Sequence, residues 1–167
     1  MSEEQIFQIK FKNMPDIFDA CRNGDLETLQ KIYAQNPASI NIPSDKGFTP
    51  LVLAVYSNQT EAVSFLLSKN AEIDGQDMAG NTALMGAVFK GYENQINLLL
   101  ENGASVNIQN QDGATALIYA VMFDKTVLAK LLLKAGADSS IKDGKGQTAL
   151  DYVKGKGNEE ILDILKG

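Results

Sequence analysis

The stretch Thr49-Pro50-Leu51-Val52-Leu53-Ala54 decides the fold, because its pattern returns every 33 residues along the chain. The later copies begin at three further threonines, Thr82, Thr115 and Thr148. A glycine stands two residues before each threonine, at Gly47, Gly80, Gly113 and Gly146. Four copies in phase indicate a tandem array of one structural unit rather than a single irregular core.

Each unit contains signals for a turn followed by two helices. The glycine permits the positive φ of a tight turn, and the threonine hydroxyl can accept a hydrogen bond from the first helical turn. Small residues at Ala54, Ala87 and Ala120 predict a first helix that packs closely against its neighbours. Leucine-rich stretches at helical spacing predict a second helix, which should end at Asn70, Gly103 and Gly136.

The two ends of the array are less regular than its middle. The first unit runs from about Pro15 to Ile42 and lacks the opening threonine. The last unit ends in a helix whose apolar residues, among them Ile161 and Leu165, alternate with charged ones. We expect both units to act as caps, since terminal repeats need a polar outer side.

The opening stretch, followed by residues 65–67 and 70–74, resembles the ankyrin repeat. The resemblance implies an all-α solenoid of stacked helix-turn-helix units with projecting hairpin fingers. It divides the chain into an N-terminal arm or cap extension, residues 1–13, and a single domain, residues 14–167, with repeats at about 14–43, 44–76, 77–109, 110–142 and 143–167. The histidine usual in the family's opening motif, which helps to tie the turn, is replaced here by Val52, Met85, Ile118 and Asp151.

The composition argues against catalysis. The chain has no histidine and one cysteine, which excludes histidine-based triads and zinc sites of ordinary ligand composition within one chain. Asp112-Gly113 and Asp143-Gly144 lack the ligand series of a calcium loop, and residues 144–148 lack the glycine spacing of a phosphate loop. We therefore predict a protein that is not an enzyme, with no catalytic, cofactor-binding or metal-binding residues and no cofactor.

Charge and hydropathy narrow the choice of partner and compartment. A net charge of −6 disfavours nucleic acid, and no apolar run is long enough to span a membrane. The single Cys21 cannot form an internal disulfide, and the acidic N-terminus is unlike a secretory signal. We expect a cytoplasmic protein that is monomeric by itself.

The resemblance implies that partners are met by the finger tips and by the exposed side of each first helix. Large apolar residues occupy these positions, namely Phe48, Tyr56, Met78, Phe89, Tyr92, Met122 and Phe123. They predict an apolar band across the concave side, with Asp45, Asp112 and Asp124 in a charged rim. The alternative is that some of these rings pack beneath their own fingers and that the charged residues are only solvated.

These features favour a non-catalytic module that binds a folded partner protein through its concave face. Its role would be that of an inhibitor or self-protection protein of an enzyme, or of a scaffold or adaptor. The alternative function is a structural or assembly protein that acts through self-association. Residues 2–12, with Ile6, Phe7, Ile9 and Phe11, would either cover the edge of the first unit or form a peptide arm.

Overall fold

The computed structural model describes residues 16–166, and this part of the chain contains ten α-helices in five antiparallel pairs and no strand. The helices are α1 Ile17–Asn23, α2 Leu26–Gln35, α3 Pro50–Tyr56, α4 Thr60–Ser68, α5 Ala83–Lys90, α6 Glu93–Glu101, α7 Ala116–Met122, α8 Thr126–Lys134, α9 Ala149–Lys154 and α10 Glu159–Lys166. A 3-10 helix, Pro37–Asn41, follows α2. The predicted all-α solenoid is confirmed. The proposed arm, residues 1–13, with Ile6, Phe7, Ile9 and Phe11, lies outside the described residues.

The four periodic threonines begin the first helices, as predicted. Each hydroxyl accepts a hydrogen bond from the amide three residues later, at 3.2 Å for Val52 and 3.3 Å for Met85, Ile118 and Asp151. In the last pair, the Asp151 carboxylate also accepts from the Thr148 amide at 3.0 Å, which completes a capping box. In the fifth pair, a polar residue therefore occupies the position that is apolar in the three preceding pairs.

In the middle three pairs, both helices are followed by a left-handed residue. Asn70, Gly103 and Gly136 follow the second helices with φ values of 60°, 87° and 91°, which confirms the predicted helix ends. Asn58 and Asp124 hold the same conformation between the two helices of a pair, with φ of 58° and 53°. Asparagine and aspartate tolerate this region better than other side chains, so these positions need no glycine.

The two layers of helices in the stack pack differently. The first helices α1, α3, α5, α7 and α9 pack closely side by side, whereas contacts between successive second helices are sparse. Fully buried Ala54, Ala87 and Ala120 permit this close approach. The first helices consequently form the more closely packed layer of the stack.

The turns that precede α3, α5, α7 and α9 project as fingers, each tied by the side chain of its first residue. Oδ1 of Asp77 accepts from the amides of Ala79 and Asn81, both at 2.9 Å. Asn110 and Asp143 make the equivalent pairs of bonds in the next two fingers. These side chains hold the turns in a protein without histidine, while Val52, Met85 and Ile118 are buried. We call the exposed residues of the fingers and first helices the finger–helix face.

The first four repeats are also joined by one recurring hydrogen bond between the segments that follow their second helices. Asn41, Asp74 and Asn107 stand 33 residues apart. Their side-chain oxygens accept from the amides of Glu72, Ser105 and Asp138 at 2.9, 2.9 and 2.8 Å. Each bond crosses to the next repeat, so the inter-repeat spacing is held in the same way three times.

Gln95 is a polar residue in the core of α6. It is fully buried, and its Nε2 donates to Asn58 Oδ1 at 2.9 Å, whereas its Oε1 has no hydrogen-bond partner among the described residues. Ala62 and Leu128 occupy the equivalent positions of the neighbouring repeats, and both are buried. An apolar side chain therefore suits this position.

We expect Gln95→Met to raise the free energy of unfolding by about 1 kcal/mol, because a buried carbonyl without a partner costs roughly 1–3 kcal/mol and methionine has a similar shape. Urea unfolding monitored by circular dichroism measures the change. Asn94→Met, at the exposed neighbouring position, is the matched control and should change stability little. A lower urea midpoint for Gln95→Met would contradict the prediction.

Candidate partner-binding surface

Two exposed phenylalanines form the apolar centre of the finger–helix face. Phe89 lies in the last turn of α5 and Phe123 follows α7, and their rings meet edge to face at a centroid distance of 5.1 Å. Their exposed fractions are 47% and 42%, although each is a large apolar side chain. The Tyr119 ring packs against Phe123 at 6.0 Å and supports the pair from within the repeat.

Phe48 and Tyr56, by contrast, pack largely against each other. Their rings meet edge to face at 6.3 Å, and both are half-buried against the core. The Tyr56 ring also lies close to Gly86, where an added Cβ would stand 3.2 Å from its Cε2 atom. Lys90 Nζ lies 5.9 Å from the centre of the same ring. For these two residues, the alternative of packing beneath the finger describes the structure well.

The remaining apolar positions of the predicted band differ in exposure. Met78 projects from its finger with 68% of its surface exposed and lies against Gly47 of the preceding finger. Met122 is half-buried at the end of α7. Tyr92 is half-buried just before α6 and makes no aromatic contact with a described residue. Tyr92 therefore stands apart from the ring pair of Phe89 and Phe123.

The three predicted rim aspartates are exposed but not equivalent. Asp124 pairs with Lys156 of the next repeat at 3.0 Å, and Lys156 Nζ also donates to the Met122 carbonyl. The Asp45 and Asp112 carboxylates make no ion pair or hydrogen bond within residues 16–166. Only these two carboxylates can meet a partner without first breaking a contact.

Two tyrosines at repeat-equivalent positions, Tyr119 and Tyr152, also take part in this face and are absent from the predicted site. Tyr119 Oη accepts from Asn110 Nδ2 at 2.9 Å and donates to Asn81 Oδ1 at 3.1 Å, and the equivalent Tyr152 Oη donates to Asp143. The hydrogen bond to this carboxylate raises the pKa of Tyr152, whereas burial, followed by the charge of Asp112, raises the pKa of Tyr119. The interval of 33 residues between Tyr119 and Tyr152 could have identified this pair from the sequence.

The described residues show no arrangement suited to metal chemistry. Within residues 16–166, no group of three or more histidine, cysteine, aspartate or glutamate side chains is placed to hold a metal ion. In the same part of the chain, no helix has both the length and the apolar character that crossing a bilayer requires.

Comparison with known proteins identifies the repeats. The family described as Ankyrin repeats (3 copies) matches residues 17–110 and 91–167. The chain is 35% identical over 66 residues to Ankyrin repeat and SAM domain-containing protein 6 of Danio rerio and of Rattus norvegicus, which covers 40% of this chain and 9% and 8% of those proteins. It is 32% identical over 73 residues to Palmitoyltransferase akr1 of Neurospora crassa, which covers 44% of this chain and 10% of that protein. The matched stretch is thus about a tenth of each relative's length.

Proposed function

Since this chain belongs to the ankyrin repeat family, we propose that it binds a folded partner protein through the finger–helix face. Ankyrin repeats are generally protein-interaction modules, and the family is generally non-catalytic. The observation that carries the proposal is the exposed pair of Phe89 and Phe123 on the finger–helix face. Large aromatic side chains are enriched at protein interfaces and are costly to leave in water.

The surroundings of the ring pair support the same proposal. Met78 adds an exposed thioether to the face, and Asp45 and Asp112 supply unpaired carboxylates at its edge. An apolar centre with a charged rim is the usual anatomy of a specific interface. In this proposal, the chain is not catalytic and acts by covering its partner or by recruiting it. If the covered surface is an enzyme's active site, the chain is an inhibitor or self-protection protein.

Affinity capture from the host, followed by titration calorimetry with the captured protein, tests the proposal. We expect Phe89→Ala combined with Phe123→Ala to weaken binding about 10- to 100-fold, because buried aromatic anchors each contribute roughly 1–2 kcal/mol or more. The midpoint of thermal unfolding should change little, since both rings are almost half exposed.

The control is Val127→Ala, which truncates another exposed apolar residue. Val127 lies at the start of α8, in the layer of second helices. This variant should bind like the wild type. Equal losses for both changes, or undiminished binding by the Phe89/Phe123 variant, would contradict the proposal. Sedimentation at several concentrations separates partner binding from self-association, which would give a concentration-dependent mass for the isolated chain.

A further inference from the structure

A depression of ≈ 430 Å³ lies beside the exposed ring pair, between the last two fingers. The fingers contribute Asp112, Asp143 and Lys145 to its lining, and the first helices contribute Tyr119, Met122 and Tyr152. The Tyr119 ring, which lines the depression, packs against the Phe123 ring at a centroid distance of 6.0 Å. A partner side chain in this depression would therefore sit next to one in contact with the rings.

The two carboxylates of the depression are held differently. Oδ1 of Asp143 accepts from the amides of Lys145 and Gln147 at 2.9 and 3.0 Å, and Oδ2 accepts from Tyr152. Burial opposes the charge, but these hydrogen bonds outweigh it and hold the pKa of Asp143 below its ordinary value. Asp112 is exposed, and its carboxylate contacts no hydrogen-bond donor within residues 16–166. The Asp143 carboxylate is therefore held in its charged form, and the Asp112 carboxylate lines the same depression without a partner.

The aromatic lining has little hydrogen-bonding capacity left for a partner. The Tyr119 hydroxyl is occupied by Asn110 and Asn81, and the Tyr152 hydroxyl by Asp143. Their rings and the Met122 side chain therefore offer apolar and polarisable surface beside the carboxylates. Lys145 is the one cation among the lining residues, so the carboxylates outnumber it by two to one.

This combination discriminates between classes of partner side chain. An aliphatic side chain would take the unpaired Asp112 carboxylate out of water without compensation, and an acidic one would be repelled by both aspartates. A guanidinium is planar, always charged and weakly hydrated, and it can contact aromatic surface while it donates to a carboxylate.

We propose that the depression between the last two fingers receives an arginine side chain of the partner protein, beside the apolar contact at Phe89 and Phe123. The inference rests on the proposed function in one respect, because the same partner supplies both contacts. Arginine recognition at the depression is nevertheless a property of the isolated chain and can be measured without the partner.

The test is a titration of the intact protein with Nα-acetyl-L-arginine amide, followed by NMR of the Met122 methyl group and the backbone amides of Gly144 and Lys145. Nα-acetyl-L-citrulline amide, the neutral isostere, is the matched probe. We expect the arginine compound to shift these signals with an affinity at least about tenfold higher, and its affinity should fall as the salt concentration rises.

Three variants assign the effect to the depression. Asp112→Asn should weaken arginine binding at least about fivefold, since it removes the unpaired carboxylate and disturbs no hydrogen bond. Lys145→Gln should strengthen it by removing the competing ammonium group. Asp163→Asn makes the same change in net charge on α10, outside the depression, and should leave binding unchanged.

Equal affinities for arginine and citrulline, or an Asp112→Asn variant that binds like the wild type, would overturn the inference. The Phe89/Phe123 variant should still bind the arginine compound, because this small probe does not need the ring pair. Failure of that variant to lose partner binding would therefore count against the proposed function, whereas failure of the arginine titration would count against the depression alone.

Discussion

Gly113→Ala is expected to lower the free energy of unfolding by about 3 kcal/mol, roughly three times the cost of Gly146→Ala. The two glycines occupy equivalent finger positions with nearly the same φ, 74° and 76°. At Gly113 an added Cβ would stand 2.7 Å from the amide nitrogen of Gly144 in the next finger, whereas at Gly146 nothing lies within 4 Å. The difference in stability between the two variants therefore measures the contact between the fingers, because the strain of positive φ is nearly the same in both.

The physical reason is the backbone hydrogen bond that joins the two fingers. The Gly144 amide donates to the Asp112 carbonyl at 2.7 Å, and the Gln111 amide makes the corresponding bond to Ala79 at 3.0 Å. A methyl group at position 113 would force the next finger away and break this bond, which leaves its polar groups to be satisfied elsewhere. Urea unfolding of both variants measures the difference, and equal destabilisation would show that the fingers do not restrain each other.

The Cys21 thiol of the folded protein is expected to react with an alkylating reagent at about one thousandth of its rate in the unfolded chain. Burial raises the pKa of Cys21 from 9.0 to about 12, with a smaller contribution from Asp16. Three pKa units correspond to about a thousandfold smaller thiolate fraction near neutral pH, and the thiolate is the reactive form. The measurement is the rate of iodoacetamide modification by mass spectrometry, with and without denaturing urea.

The same shift predicts a loss of stability in alkali. The folded-state pKa lies above the unfolded one, so the contribution of the neutral thiol is intact below pH 9.0 and falls as the pH rises towards about 12. Cys21→Val should remove this component, and valine already fills the buried positions Val55 and Val88 in other first helices. Ser64→Cys in the Cys21→Val background provides an exposed thiol that should react at the ordinary rate. Rapid modification of Cys21 in the folded chain would contradict the predicted burial.

The sequence predicted the helices and their ends because these features depend on local residues. The threonine hydroxyls bond to amides three residues away, and Asn70 adopts its left-handed conformation within its own turn. Such interactions repeat whenever the residues repeat, so a 33-residue interval predicts them without knowledge of the stack.

The candidate site was harder to predict because it depends on contacts between repeats. Tyr56 and Phe89 occupy equivalent positions, yet Tyr56 packs against Gly86 and Phe48, whereas Phe89 meets the exposed Phe123. The ion pair of Asp124 with Lys156 likewise crosses from one repeat to the next. Equivalent sequence positions therefore differ in exposure when the neighbouring repeat presents a different side chain.

The recurring hydrogen bonds accepted by Asn41, Asp74 and Asn107 mean that a further repeat could join the stack without a new kind of contact. Three of the four junctions between repeats carry this bond to a side-chain oxygen at the same place, so duplicating residues 77–109 would create a new junction of the kind that already exists. The added unit would carry its own copy of Phe89 and lengthen the finger–helix face by one repeat. A family built in this way can match the footprint of a larger target by gene duplication alone.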